Sequence, residues 1–206
     1  RHGHAGQVSE DRRRSVEAYD SCAGTYAEIT RNGHPETREA LRRFADAVGE
    51  GARVLEVASG PGWDADFLES RGVTVRRTDL SEGFIGFQTS RGKTVERLDL
   101  LDDDLGGPWD GLVGLYVLQH VARVRTDEVV ARMAAALRRG GVLLISFQEG
   151  EAEDERAGAE GGISEAVRRS QEEMRDAVER GGLEIVSWHG FEGREADWVL
   201  LIAYRP

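Results

Sequence analysis

At Arg53 the sequence changes period, and this change limits the possible folds more than any other feature. Arg53-Val54-Leu55-Glu56-Val57 reads as a short buried strand that enters the turn Ser59-Gly60-Pro61-Gly62, and Trp63 to Ser70 reads as the helix leaving it. Glycines let the backbone turn tightly and leave no Cβ between it and a ligand, while the following helix presents unpaired amide N–H groups. The rhythm then repeats. Gly72 closes the helix, Val73 to Thr78 is a second strand, and Asp79-Leu80-Ser81 opens a weaker helix running to about Ser90. Lys93 to Leu98 is a third strand and Trp109 to Leu115 a fourth, joined through an exposed connection that holds Asp102 to Asp104, Gly106, Gly107 and Pro108. Thr126 to Arg138 is a helix stopped by Gly140-Gly141, and Val142 to Phe147 is a strand apolar enough to be covered on both faces. A helix over about Glu165 to Arg180, then Leu183 to Trp188 and Trp198 to Tyr204, bring the count to seven strands. Strands and helices alternating this way predict an α/β doubly wound, mostly parallel sheet with helices on both faces and a ligand crevice outside the carboxyl ends of the strands.

Two helices precede this core. Between about Glu10 and Ile29, Val16, Tyr19, Ala23 and Tyr26 share a face; after Pro35, Leu41, Phe44, Ala45 and Val48 do the same. The expected organisation is one domain over residues 1–206, with amino-terminal cap helices in 9–48 on a core of 52–206. The stretch from Glu149 to Gly162 is rich in glutamate and glycine and reads as a loop or lid.

Composition removes several classes of function. With 38 acidic residues against 27 basic ones, the net charge of −11 opposes attraction to nucleic acid or anionic lipid. No apolar run approaches the roughly 20 residues that span a bilayer. A single cysteine, Cys22, forms neither an internal disulfide nor a thiolate pair for zinc or iron–sulfur, so no metal site is expected and the setting reads as cytosolic. On its helix beside Ala23, Cys22 itself reads as a small buried hydrophobe. His34 and His189 read as surface or loop residues.

The turn alone leaves its ligand open. Gly60-Pro61-Gly62-Trp63-Asp64-Ala65 satisfies a dinucleotide pattern, and Asp79 lies 17 residues beyond Gly62, near the distance of a ribose-binding acid. In combination, however, Glu56 at the strand end, Gly60 and Gly62 in the turn, Asp79 after strand two, Asp99 after strand three and the stretch from Asp110 to Val121 resemble class I S-adenosylmethionine-dependent methyltransferases. These have a seven-stranded Rossmann-like fold, and the resemblance covers roughly Val16 to Arg205. It implies S-adenosylmethionine as cofactor, with Gly60 and Gly62 at its methionine portion and Glu56 organising that side. Ala58 stands where many members carry glycine. The resemblance further implies that Asp79, with Leu80 beside it, accepts the ribose hydroxyls, that Asp99 and Leu100 recognise the adenine, and that Leu115 closes the fourth strand at the site. Tyr19 and Tyr26 would close over the cofactor from the first helix, and Trp63 would cover the start of the glycine-turn helix. His120 can carry a proton near neutral pH and is the candidate general base, with a packing role as its alternative. The implied activity is methyl transfer to a small-molecule acceptor, at oxygen first, then nitrogen or carbon, by a monomer or homodimer. A nicotinamide-dependent oxidoreductase and a non-catalytic S-adenosylmethionine-binding partner protein are the alternatives.

Overall fold

The computed structural model describes residues 3–151, 166–194 and 196–206, with residues 3–12 and 14 as backbone alone. In chain order the elements are α1 (Gly3–Thr30), α2 (Pro35–Val48), β1 (Arg53–Glu56), α3 (Trp63–Ser70), β2 (Thr74–Asp79), α4 (Glu82–Ser90), β3 (Val95–Arg97), β4 (Trp109–Gly114), α5 (Thr126–Ala136), β5 (Leu137–Gln148), α6 (Gln171–Arg180), β6 (Glu184–Glu192) and β7 (Asp197–Tyr204). The strands form one sheet in the order β3-β2-β1-β4-β5-β7-β6. β1 to β5 are parallel, and β7 runs antiparallel to both of its neighbours. From β1 the chain steps outward through β2 and β3, then returns to the other side of β1 as β4. The carboxyl ends of β1 and β4 therefore flank the point where strand order reverses, which is where an open α/β sheet leaves a crevice.

Period-two alternation within the apolar strands splits the core into two layers. Leu55, Leu112, Leu143 and Ile145 face one way and pack with Met133 of α5 and Met174 of α6. Their neighbours Val54, Val113 and Leu144 face the other way and pack with Leu41 and Phe44 of α2 and Leu68 of α3. Of the two helices expected as a cap, α2 thus covers the sheet, its Phe44 ring filling the space where a Cβ on Gly111 would stand 2.5 Å away. α1 instead reaches the strand ends. Asp20 Oδ1 accepts hydrogen bonds from Ser81 Oγ (2.6 Å) and Gly83 N (3.0 Å), and Ala27 O accepts from Trp63 Nε1 (3.0 Å). Gly83 permits this docking, because a Cβ there would lie 2.7 Å from Asp20 Cα. Gly83→Ala is accordingly expected to push α1 off α4 at a cost of about 1–3 kcal/mol. Amide exchange should report it as faster exchange through Ser15–Thr30 with β4 and β5 unchanged.

Several boundaries differ from expectation for local reasons. α5 ends at Ala136 rather than Arg138, because Leu137 is already extended and pairs with Trp109. Gly140 and Gly141 lie within β5, and a Cβ on Gly141 would stand 3.0 Å from Trp109 O, so glycine serves close strand approach there. α6 starts at Gln171, where Ser170 and Glu173 form a capping box. Arg169, two residues before it, pairs its backbone with Glu149 in a parallel β-bridge. Cys22 is exposed rather than buried, since Ala23 and Ala27, one turn apart, supply the buried stripe of α1. Of the expected acidic loop, Glu149 N and Gly150 N donate to Asp197 O and Arg169 O, and residues 152–162 lie outside the described residues. Among the described residues no helix is long and apolar enough to cross a membrane.

Candidate active site

The turn after β1 takes positive φ at Ala58 (54°), Gly60 (56°) and Gly62 (84°). A side chain at such a position costs about 1–2 kcal/mol, so Ala58 carries a strain that glycine would not. A buried polar chain behind the turn fixes it. Arg77 donates to Gln88 Oε1 (2.9 Å) and Gly62 O (3.3 Å); Gln88 Nε2 donates to Ser59 Oγ (3.0 Å) and Gly60 O (2.8 Å); Ser59 Oγ donates to Glu56 Oε2 (2.5 Å). Glu56, Ser59, Arg77 and Gln88 are all buried. Burial pushes the Glu56 carboxyl up to about 8, so near neutral pH it holds its proton. Glu56 and Gly62 therefore support the turn from behind and do not line the cavity in front of it. The space beside Gly62 is taken: a Cβ would meet Gln88 Oε1 at 2.3 Å and Arg77 Nη1 at 2.7 Å.

In front of the turn lies a cavity of about 650 Å³ at the carboxyl ends of the strands, within the roughly 300–1,000 Å³ typical of small-ligand sites. Ala58, Gly60, Trp63, Asp79, Leu80, Asp99, Leu100, Leu115, Tyr19, Tyr26 and His120, eleven of the thirteen residues expected at the site, reach its wall. Asp79 Oδ2 accepts from Gly60 N (2.7 Å) and Oδ1 from Ser81 N (2.8 Å). A carboxylate offers about four lone-pair sites, so acceptor capacity remains at this wall of the cavity. Burial raises the Asp79 pKa against the pull of the Ser81, Gly60 and Leu80 amides. Asp99 Oδ1 accepts from Leu101 N (2.9 Å), and Leu98, Leu100 and Leu101 beside it form an apolar wall.

On the opposite wall Tyr19 and Tyr26 meet edge to face at 5.6 Å, and both rings contact Phe84 of α4. Tyr19 Oη lies 3.1 Å from His120 Nε2. Burial pushes the His120 imidazole down to about 4, and its buried Nδ1 has no hydrogen-bond partner among the described residues. The turn that carries His120 is itself clamped. Arg169, fully buried, donates to Leu118 O (2.7 Å), Val121 O (2.7 Å) and Thr126 Oγ1 (2.8 Å), and Val167 N donates to Gln119 O (2.9 Å).

Among the wall residues that sequence reasoning missed are Asp64 and Tyr116. Asp64, whose carboxyl burial raises to about 6, sits in the first turn of α3, where an acid reads as an ordinary partner of the helix dipole. Tyr116 follows β4 at positive φ (55°), its N–H donating to Ser146 Oγ (2.7 Å) and its hydroxyl 2.5 Å from Thr37 Oγ1.

A parallel sheet with a glycine turn, and an acid after each of the first two outward strands, defines an α/β protein built to bind a nucleotide-like cofactor. Residues 29–188 match a family model described as a methyltransferase domain, and the chain belongs to that family. This match gives no support to the oxidoreductase alternative. Among solved structures the chain is similar to magnesium protoporphyrin IX methyltransferase from Synechocystis PCC 6803 with bound SAM, at 20% identity and TM-score 0.77, covering 95% of this chain and 97% of that one. It is also similar to a putative methyltransferase in complex with the Haloferax volcanii Trm112 activator, at 17% identity and TM-score 0.74, covering 91% and 97%. A third is 1,6-didemethyltoxoflavin-N1-methyltransferase from Burkholderia thailandensis, bound to 1,6-didemethyltoxoflavin and S-adenosylhomocysteine, at 17% identity and TM-score 0.72, covering 98% and 89%. At these identities the likeness is one of fold. A search of curated proteins gives no significant match.

Proposed function

We propose that this protein binds S-adenosylmethionine across the carboxyl ends of β1 to β3 and transfers its methyl group to a small-molecule acceptor, at oxygen first, then nitrogen or carbon. The observation that carries this reading is the joined pair Gly60 and Asp79. Position 60 has no Cβ, nothing stands within 4 Å of where one would be, and its N–H orients a carboxylate that keeps acceptor capacity at the cavity wall. Such a carboxylate suits a vicinal diol, so Asp79 with Leu80 takes the ribose. Asp99 and Leu100 take the adenine, and Ala58 and Gly60 take the methionine portion. Glu56 and Gly62 act through the turn they hold. Leu115 and Trp63 complete the wall, and Tyr19 and Tyr26 cover it from α1. When bound, S-adenosylmethionine supplies a methyl group already activated by a positive sulfur. The protein's own contribution is to hold the acceptor in line and keep water out. The family fold, the acidic charge and the lone Cys22 favour a cytosolic protein acting on a small molecule, as monomer or homodimer, without nucleic acid or membrane.

With its pKa near 4, His120 is neutral throughout the physiological range and holds Tyr19 rather than storing charge. If its neutral form aids transfer, the acidic limb of the single-turnover rate falls through pH 4, below the roughly 6.5 of an unperturbed histidine. Between pH 5 and 8 the profile should carry no histidine step, and one that His120→Gln abolishes would contradict this. Equilibrium dialysis tests the cofactor reading, with S-adenosylhomocysteine expected to be retained and NADH not. Retention of NADH in preference would restore the oxidoreductase.

A further inference from the structure

We propose that the half of the cavity away from Asp79 is a slot for a planar aromatic acceptor carrying an acidic group, walled by Tyr116, Trp198 and Phe191 and closed by Arg194. The inference deepens the methyl-transfer reading and rests on it for which ligand occupies the rest of the cavity.

Three separate segments converge here: the α1–α2 connection, the residue after β4, and the hairpin joining β6 to β7. Tyr116 is one of only two non-glycine residues with positive φ among those described. It is held at both ends, by Ser146 Oγ at its N–H and by Thr37 at its hydroxyl. A strained residue fixed at both ends has its ring direction specified, and such residues gather at ligand clamps. The ring meets Trp198 at 4.8 Å and 70°. Beside them Phe191 stacks on His34 at 4.5 Å and 29°. All four rings reach the cavity wall. Aromatic edges and faces arranged this way favour another flat π-system over a flexible aliphatic chain, which would lose more freedom on binding.

Charge then gives the ligand a direction. The wall carboxylates Asp64, Asp79 and Asp99 lie in α3 or just after the outer parallel strands, and Arg194 is the one Lys or Arg among the described wall residues, at the hairpin end. An acidic substituent is attracted to Arg194 and repelled from the three carboxylates. The acceptor ring therefore enters with its acidic end outward and its opposite edge toward the cofactor half. A cationic acceptor would be drawn the other way, toward the carboxylates and aromatic faces, and is an outcome the test includes.

The test is calorimetry in saturating S-adenosylhomocysteine with matched probes: 4-hydroxybenzoate, 4-hydroxybenzamide, 4-hydroxycyclohexanecarboxylate and 4-hydroxybenzylamine. The benzoate is expected to bind roughly tenfold or more tighter than each of the others. Arg194→Gln should remove its advantage over the amide while keeping its advantage over the saturated ring. Trp198→Leu should do the reverse. Equal binding of all four, tighter binding of the amine, or no binding of the benzoate overturns the proposal. S-adenosylhomocysteine binding is measured separately on the parent protein. If it fails, the methyl-transfer reading falls, and the slot is judged by the same ranking of probes on the protein alone.

Discussion

Gly62→Ala is expected to lower stability by about 4 kcal/mol and to reduce S-adenosylhomocysteine affinity by more than about 100-fold. Two penalties add. Position 62 has φ of 84°, where a Cβ costs about 1–2 kcal/mol. The methyl group would also stand 2.3 Å from Gln88 Oε1 and 2.7 Å from Arg77 Nη1, so the buried amide and guanidinium must separate. Once Gln88 moves, Ser59 Oγ and Gly60 O lose their donor, and the turn that orients Gly60 N toward Asp79 loses its support. Gly60→Ala is the contrasting variant. Its φ of 56° carries the same backbone cost, but its Cβ meets nothing within 4 Å and stands on the cavity side. It should lose only about 1–2 kcal/mol of stability while still losing most cofactor affinity. Denaturant titration and calorimetry on both variants separate the two roles, and equal stability losses would show that the space behind Gly62 is not filled as described.

Arg169→Met is the second large effect. Its guanidinium answers the carbonyls of Leu118 and Val121, on either side of Gln119 and His120, together with the Thr126 hydroxyl. Methionine fills similar volume and donates nothing, so Val121 O loses the guanidinium outright, while Leu118 O and the Thr126 hydroxyl keep Val121 N and Arg123 O but lose their charged donor; each buried acceptor bond lost costs about 1–3 kcal/mol. A loss of about 3 kcal/mol corresponds to roughly 6–12 °C in Tm for a domain of this size. The damage should be local as well as global, because the freed turn carries His120, whose Nε2 meets Tyr19. Amide exchange is expected to accelerate over Val117–Val121 beyond the change in β1 and β2. A variant as stable as the parent would show that the buried arginine is not what holds this turn.

The parts of the site carried by a strand end and its turn were legible in the sequence. Asp79 ends β2 and Asp99 comes two residues after β3, Gly60 lies in a turn with a fixed offset from β1, and Tyr19 and Tyr26 follow helical spacing on α1. Local pattern determines all of these. What stayed hidden depends on distant partners. The left-handed backbone of Tyr116 is set by Ser146 and Thr37, 30 and 79 residues away. Arg169 falls within the helix expected over Glu165 to Arg180, and only the return of the chain under the His120 turn buries it. Gly140-Gly141 misled for the same reason: the pair resembles a helix stop, but Gly141 answers the backbone of Trp109 across the sheet. Glu56 was expected as a site acid, whereas its place behind the turn, joined to Gln88 through Ser59, was not legible, since the chain linking them spans β1, the turn and α4.

Binding of S-adenosylhomocysteine to Asp79→Asn and Glu56→Gln, side by side, tests the central claim most directly. Asp79 lies in the cavity wall, and the amide keeps the size while giving up the charge. Affinity should fall roughly ten- to a hundred-fold, the loss of one or two kcal/mol of charge-assisted hydrogen bonding. Glu56, already protonated near neutral pH and turned toward Ser59, is mimicked by glutamine and should change affinity less than about threefold. An unchanged affinity in a folded Asp79→Asn protein, or a larger loss in Glu56→Gln than in Asp79→Asn, would contradict this account of the site.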